Sequence, residues 1–543
     1  MRALAPASVS NPPRRLFFPM QSRGVLALSI VAGLIALAMA LPLLYLLIRA
    51  SSVGWANAYE LLIRPQTLQI IINSLTLALL VTSISLMISL PLAWITVRTN
   101  LPGRRWWGVL CSLPLVFPSY VGSYSLVAMM GPRGIVQGWL EPFGVERLPS
   151  IYGLFGATWA LTIFTYPYLY LSIRAGLRNL DPSLEEAARS LGYSPWRSFF
   201  YVTLPNLRPS IAGGALLVAL YVLSDFGAVS LLRFSSFTRA IYVQYGSSFD
   251  RSLASLLSLV LVIISLTLLI AVQHMQGVAR YHRAGVGTSR RLQPLTLGRW
   301  RWPALFFCAA VVLASLILPA GVVTYWLVRG LLAGESVVAI GPALWNSVRA
   351  AGLAAIAAAA LALPVAYLNV RFPGRYSTWV YNLAYIGNGL PGIVIALSLV
   401  FFGANYAPYL YQTLAMLIFA YVVRFLPEAT GTVRAGLLQI SPRLEEAARG
   451  LGLNRRQAIR RVTIPLLQPG IWAGIALVFL STIKELPATL LLGPTGFSTL
   501  ATQIWSATSE AFYTRAALPA LILLVVSGLS IVLILRQEER SGL

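Results

Sequence analysis

Two stretches of the chain concentrate its chemistry. "EEAARSLGYSPWRSFFYVTLP" runs from Glu185 to Pro205, and "EEAARGLGLNRRQAIRRVTIP" repeats it 260 residues later, from Glu445 to Pro465. Each sets two carboxylates side by side in a chain with 16 acidic residues against 41 basic ones. A second group of charges lies inside apolar sequence: Asp225 in "LSDFGAVSLL", Lys484 and Glu485 in "IKELPATLLL", and Arg424 with Glu428. Charges in such surroundings are costly and usually functional. Other chemistry is poorly supplied. No HExxH, no paired catalytic acids and no nucleophile beside a histidine occur in the apolar segments, so an embedded enzyme has little to work with. Cys111 and Cys308 read as buried packing residues, and His274 and His282 have no Cys or acidic cluster beside them, so no metal site is implied. Lys484 is the chain's single lysine and no glycine-rich loop precedes it, which excludes a phosphate-binding GxxxxGK[ST] loop.

The elements that position these residues are membrane helices. Of 543 residues, 57% are hydrophobic and 10% charged, with a mean hydropathy of +0.75, values that do not fit a water-facing surface. Windows long enough to cross a hydrocarbon core of about 30 Å as helix fall near 25–48, 70–97, 107–130, 151–173, 210–232, 252–275, 303–327, 346–370, 377–403, 409–430, 470–493 and 516–535. These twelve spans predict an all-α membrane protein, since backbone groups cannot stay unpaired in lipid and the alternation of a transmembrane barrel is absent. With the N terminus in the cytoplasm, the two tails and the even-numbered loops hold 29 arginines and the outward loops nine, with Arg349 and Arg424 inside spans. That bias puts both termini inside. The net charge of +25 is spread over every inner loop and not gathered into one stripe, which argues against nucleic acid as a partner. Val25 to Ile48 is too long for a signal-peptide core and no small-residue cleavage site follows it, so it reads as an uncleaved first span.

The chain is a duplication. At an offset of 260, Pro167 matches Pro427, "RAGL" at Arg174 matches "RAGL" at Arg434, Gly192 matches Gly452 and Pro209 matches Pro469. Upstream the offset is 273, where Asn73-Ser74 matches Asn346-Ser347, Pro91 matches Pro364, Arg98 matches Arg371 and Pro118 matches Pro391. Six spans per half is even, so the halves enter the membrane in the same orientation, as parallel repeats about an axis along the membrane normal. The expected organisation is a tail at 1–24, a first repeat at 25–275, a polar arginine-rich linker at 276–302, a second repeat at 303–535 and a tail at 536–543.

Both quoted stretches precede their half's fifth span and so face the cytoplasm. Asp181 or Ser441 suits a helix N-cap, Pro182 or Pro442 the first helical position, and Gly192 or Gly452 the left-handed residue that ends a helix. Leu184, Ala187, Ala188 and Leu191 share one face of the short helix between them, as do Leu444, Ala447, Ala448 and Leu451. A second helix begins near Ser194-Pro195 or Asn454 and runs until Pro205 or Pro465 returns the chain to the membrane. A helix this short is unstable alone in water and needs a surface to lie on. Its apolar stripe can pack on the protein's own inner end, but near-identity of two copies in a cytoplasmic loop favours a separate partner.

At these residues the chain resembles the type I ABC importer permeases. Their EAA loop reads here as Glu186-Ala187-Ala188, Gly192, Val202 and Leu204-Pro205, and again as Glu446-Ala447-Ala448, Gly452, Val462 and Ile464-Pro465. The resemblance covers nearly the whole chain and implies the type I fold with both permease domains fused. It implies a cytoplasmic ABC ATPase dimer as partner, with Glu186 and Glu446 making the polar contact and Ala187, Ala188, Leu191, Ala447, Ala448 and Leu451 filling a groove, between Gly192 and Pro205 in one loop and Gly452 and Pro465 in the other. It also implies an external substrate-binding protein, a bacterial inner-membrane location and no cofactor in this chain.

The charges within the spans bear on cargo. Asp225 and Glu485 are equivalent at the 260 offset, each 16 residues past the proline of its fifth-type span, or about 24 Å along a helix, which predicts a place near the outer mouth of a path. Lys484 cannot point the same way as Glu485 on a helix, so it is free to pair across the halves with Asp225. Arg424 and Glu428, four apart, are expected to pair with each other. Asp225, Lys484 and Glu485 either brace the halves or line the path or its gate. "SDFGAVSLLRFSSFTRAIY" and "KELPATLLLGPTGFSTLATQIW" look like the fused permeases of ferric iron importers, with thiamine, polyamine, sulfate and phosphonate carriers as near neighbours. An ion-gradient-driven secondary transporter with two parallel six-helix halves is the topological rival.

Overall fold

The computed structural model describes residues 23–132, 134–145, 147–247, 252–277, 294–335 and 339–540. Regular structure among them is helical, and extended backbone pairs only at an isolated bridge between Thr99 and Leu295. Among the described residues eight helices are long and apolar enough to cross a membrane, a bent pair of helices (Arg104–Val116 with Ser119–Phe143) is long and apolar enough when taken together, and Gly392–Tyr406 and Tyr513–Leu529 are shorter apolar helices. The 26-residue helix Leu154–Asn179 occupies the remaining window. Each of the twelve expected windows therefore holds helix.

For reference, the first half contributes α1 (Arg23–Ser51), α2 (Pro65–Arg98), α3 (Ser119–Met130), α4 (Leu154–Asn179), α5 (Pro182–Ser190), α6 (Leu204–Ser224) and α7 (Ser252–Gly277). The second contributes α8 (Leu318–Leu332), α9 (Gly341–Arg371), α10 (Gly392–Tyr406), α11 (Leu414–Gln439), α12 (Pro442–Gly450), α13 (Ile464–Ile483) and α14 (Tyr513–Arg540). Each half is built round three mutually packed helices, α2, α4 and α6 in one and α9, α11 and α13 in the other. The helix α9 shows why they pack closely: Ala351, Ala354, Ala355, Ala358 and Ala362 form a buried stripe at helical spacing, and small residues let helix backbones approach where lipid offers no hydrophobic drive. Gly214 and Gly474 do the same at equivalent places, since a Cβ would lie 3.0 Å from the Leu169 Cα in one and 3.3 Å from the Ala429 Cα in the other.

The halves clasp each other through their first helices. The helix α1 packs on the second half, where the Tyr376 hydroxyl donates to the Ser29 carbonyl at 2.9 Å and Tyr45 meets Phe402 and Tyr406 edge-on. The seventh span, Gly298–Leu332, reaches the first half through Ser315 and Pro319, which meet Tyr166 and Ser125.

Four windows read as continuous spans are broken. The third is interrupted at Phe117-Pro118, where its two helices meet at 91°, and the ninth at Leu390-Pro391 before α10. In both the residue before proline is extended, as the proline ring requires. The fifth and eleventh end at Ser224 and Ile483, before Asp225 and Lys484-Glu485. His282, the first 22 residues and most of the linker lie outside the described residues. The linker's end is described, and it docks on α2: Leu295 N–H donates to the Arg98 carbonyl at 2.8 Å and Asn100 N–H to the Leu295 carbonyl at 3.0 Å.

Because the alanine stripe has no spare volume, Ala358→Leu is expected to cost about 1–3 kcal/mol and lower the melting temperature in detergent. Leu353→Ala, on the exposed side of the same helix, should leave the melting temperature nearly unchanged. Equal melting of wild type and Ala358→Leu would show that the three-helix core is looser than described.

Candidate functional site

The two short helices α5 and α12 start and stop as their sequences require, with one exception. The Asp181 carboxylate accepts the Ser183 N–H at 3.0 Å, a bond that holds its carboxyl below the usual range; Ser441 makes no such side-chain cap. At the other end Gly192 and Gly452 have φ of +85° and +92°. There Gly192 N–H donates to Arg189 and Tyr193 N–H to Ala188, with the same pattern from Gly452 to Arg449 and Leu453 to Ala448, so the last carbonyls are satisfied by a left-handed cap.

The first glutamate of each pair holds the helix in place. Glu185 forms an ion pair with Arg98, in the last turn of α2, and accepts the Thr203 hydroxyl at 2.5 Å. Glu445 accepts Arg371 Nε at 3.1 Å, the Thr463 hydroxyl at 2.9 Å and the Tyr367 hydroxyl at 3.0 Å, while Arg371 also donates to the Ile440 carbonyl. Local sequence assigns these arginines and threonines no role. Their signal lay in the duplication itself, because Arg98 and Arg371 match each other just as Glu185 and Glu445 do.

The threonines reach the carboxylates because each sits in a widened turn. Phe199–Thr203 and Ile459–Thr463 are π-helical, and Leu204 N–H bonds to the Phe199 carbonyl five residues back. Such a turn gives the Pro205 or Pro465 ring room where an α-turn would clash. The sequence leads us to expect the second helix to stop at Pro205 or Pro465; instead one continuous helix runs from Trp196 to Ser224 and from Arg455 to Ile483.

The second glutamates, Glu186 and Glu446, are exposed, as are Ala187 and Ala447. Ala188 and Ala448 turn inward and are buried, so the face expected as one surface is split. What remains outward is apolar and large: Leu191 is 79% exposed and Leu451 87%, beside half-exposed Leu184 and Leu444.

The charges expected within the spans sit at the helix breaks. Asp225, 7% exposed, accepts the Ser119 hydroxyl and, at 2.9 Å, the N–H of Ala228 in the short helix Gly227–Leu231. Glu485, 6% exposed, accepts Arg424 at 3.3 Å and the Ala488 N–H at 3.4 Å. Both are therefore enclosed, where the sequence suggested an outer mouth. Two expected pairings are replaced. Lys484 does not reach Asp225; its ammonium donates to the Leu115 carbonyl of the first half at 3.1 Å. Arg424 binds Glu485 and not Glu428, whose two oxygens accept the Ser481 hydroxyl, each at 2.9 Å.

Comparison with known proteins agrees with the duplication. A family profile described as the inner membrane component of binding-protein-dependent transport systems matches residues 85–279 and again 350–540. The chain is 34% identical over 514 residues to the Fe(3+)-transport system permease protein FbpB 2 of Haemophilus influenzae, covering 93% of this chain and 97% of that one. It is 29% identical over 281 residues to the sulfate transport system permease protein CysT of Escherichia coli, covering 50% of this chain and 99% of that one. Over 166 residues it is 36% identical to the molybdenum transport system permease protein ModB of Escherichia coli, covering 29% of this chain and 69% of that one.

Removing one member of a buried ion pair costs about 3–5 kcal/mol because the other charge is stranded. Arg371→Ala should therefore loosen α12, and amide exchange over 440–465 should accelerate while 180–205 of the same molecule, still held by Arg98, stays as slow as in the wild type. Unchanged exchange in both loops would mean that α12 is held by its own turn and not by Arg371.

Proposed function

The chain belongs to the family of binding-protein-dependent transport system inner membrane components, and from that premise we propose that it is the fused permease of an ATP-driven importer of ferric iron. One observation carries the ATP-driven part. Two equivalent short helices, α5 and α12, stand at the arginine-rich end of the bundle with large leucines facing outward. A helix of under three turns with bare leucines needs a partner surface. The partner is an ATPase dimer in the cytoplasm, one subunit per helix, with Leu191 and Leu451 seated in its grooves and Glu186 and Glu446 at their rims. ATP-driven closure of that dimer moves α5 and α12, and Glu185 with Arg98 and Thr203, and Glu445 with Arg371 and Thr463, pass the movement to α2, α6, α9 and α13. An external binding protein delivers the cargo at the opposite end.

Iron is supported by the ferric relative, which is similar over nearly its full length, and by the chemistry between the halves. Asp225, Glu428, Glu485 and the phenols of Tyr168 and Tyr221 are hard oxygen donors, the type that suits Fe(III). A second reading has a specific observation behind it: Arg424 and Lys484 are cations in the same place, and relatives named for sulfate and molybdenum transport match parts of the chain.

In proteoliposomes holding the permease with its ATPase and binding protein, labelled Fe(III) should accumulate on addition of ATP, and sulfate or molybdate should not. The double variant Glu186→Ala with Glu446→Ala, or Leu191→Arg with Leu451→Arg, should keep the permease's melting temperature while ATPase binding falls about tenfold or more. Full uptake and full ATPase binding in both variants would rule out coupling through these helices.

A further inference from the structure

The path departs from the symmetry that the rest of the molecule keeps. Around the two helix breaks, the 260-residue offset pairs Phe164 with Arg424, Tyr168 with Glu428, Tyr221 with Ser481, Ser224 with Lys484 and Asp225 with Glu485. Only the last pair keeps its chemistry. Where the two halves do the same structural work they do it with equivalent residues, as the pairs Arg98 with Glu185 and Arg371 with Glu445 show. Unlike residues at equivalent positions suit a ligand that is itself unlike on its two sides.

The first half supplies oxygen. The rings of Tyr168 and Tyr221 lie 5.6 Å apart, and Ser119 touches both the Tyr221 phenol and the Asp225 carboxylate. Tyr120, 3% exposed, lies within electrostatic reach of Tyr221 and Glu485, and its hydroxyl has no hydrogen-bond partner. A buried hydroxyl left unpaired is a sign of a missing partner. The second half supplies cations. Arg424 lies within electrostatic reach of Tyr168, Tyr221 and Asp225 as well as bonding Glu485, and Lys484 stands near Glu428.

Neither a bare cation nor a bare anion fits this set. A trivalent metal alone would meet two fixed positive charges, and among the described residues no group of three or more His, Cys, Asp or Glu could hold it. An oxyanion alone would meet three carboxylates. We propose that the cluster is a transit site for ferric iron carrying a bound oxyanion, with Asp225, Tyr168 and Tyr221 on the metal and Arg424 and Lys484 on the anion. This rests on the ferric reading above. Each phenol releases its proton to solvent as its oxygen binds the metal, so two protons leave per ion and iron stays Fe(III). The unpaired Tyr120 hydroxyl donates to the anion.

The test uses the full-length permease in nanodiscs, titrated with Fe(III) from a fixed nitrilotriacetate chelate with or without inorganic phosphate. The readout is the visible phenolate-to-Fe(III) charge-transfer band. With phosphate the band should reach half-height at about tenfold less iron. Tyr168→Phe with Tyr221→Phe, which keeps the ring pair, should abolish the band, and Arg424→Gln with Lys484→Gln should make the titration indifferent to phosphate. A band of equal affinity with and without phosphate, or one that survives in the double Phe variant, overturns the proposal. Uptake by the proteoliposomes separates it from its premise: iron uptake indifferent to phosphate overturns this inference and leaves ferric import standing, whereas no iron uptake in either condition removes ferric import as well.

Discussion

The ion pairs Arg98 with Glu185 and Arg371 with Glu445 fix how three neighbouring elements sit on one another. Each ties the last turn of one spanning helix (α2 or α9) to a short surface helix (α5 or α12), and a threonine brings in the π-turn that opens the next span. A buried ion pair adds little net stability, because desolvation offsets attraction. Its contribution here is geometric. Glu185 and Glu445 accept several donors, so the surface helix has one position relative to the bundle, and a force on it reaches two spanning helices at once. Arginine in the last helical turn also faces the negative end of the helix dipole, which favours the same arrangement.

The helix breaks answer a different constraint. Backbone groups freed inside an apolar bundle must find partners within the protein. At each break a carboxylate accepts an N–H of the short helix that follows, Ala228 from Asp225 and Ala488 from Glu485. Proline breaks in the neighbouring spans lie alongside: Ser119, next to Pro118, bonds Asp225, and Gly392, next to Pro391, lies so close to Arg424 and Glu485 that a Cβ would collide with both. The acids serve the backbone first, and that duty fixes where they stand between the halves.

Much of this was legible in the sequence because apolar windows, duplication and cap residues are local signals. The left-handed Gly192 and Gly452, the Asp181 cap and the second helix starting at Pro195 or Arg455 follow from two or three neighbouring residues each. What escaped depends on residues far apart. Pro205 and Pro465 read as helix stops because a π-turn that accommodates them leaves no mark in hydropathy. The partners of Glu185, Lys484 and Arg424 are 87, 369 and 61 residues away in sequence (Arg98, Leu115 and Glu485). Spacing rules favour partners three or four residues apart, so they paired Arg424 with Glu428 and left Glu185 without one. Asn73 and Asn346 show the middle case: their repeat was visible, but not that each amide holds the loop carrying Ser235 or Ser498.

Symmetry between the halves is distributed unevenly over the molecule. At the arginine-rich end the two ion pairs, the left-handed glycine caps and the π-turns are near copies. At the breaks in the middle, phenols on one side face charges on the other. Each charge at Arg424, Glu428 and Lys484 has a partner within reach: Glu485 neutralises Arg424, the Ser481 hydroxyl donates to Glu428, and the Leu115 carbonyl accepts from Lys484. The anchor of Lys484 on the first half makes the asymmetric middle a further place where the halves hold each other, beside the contacts of Tyr376 with Ser29 and of Ser315 with Tyr166.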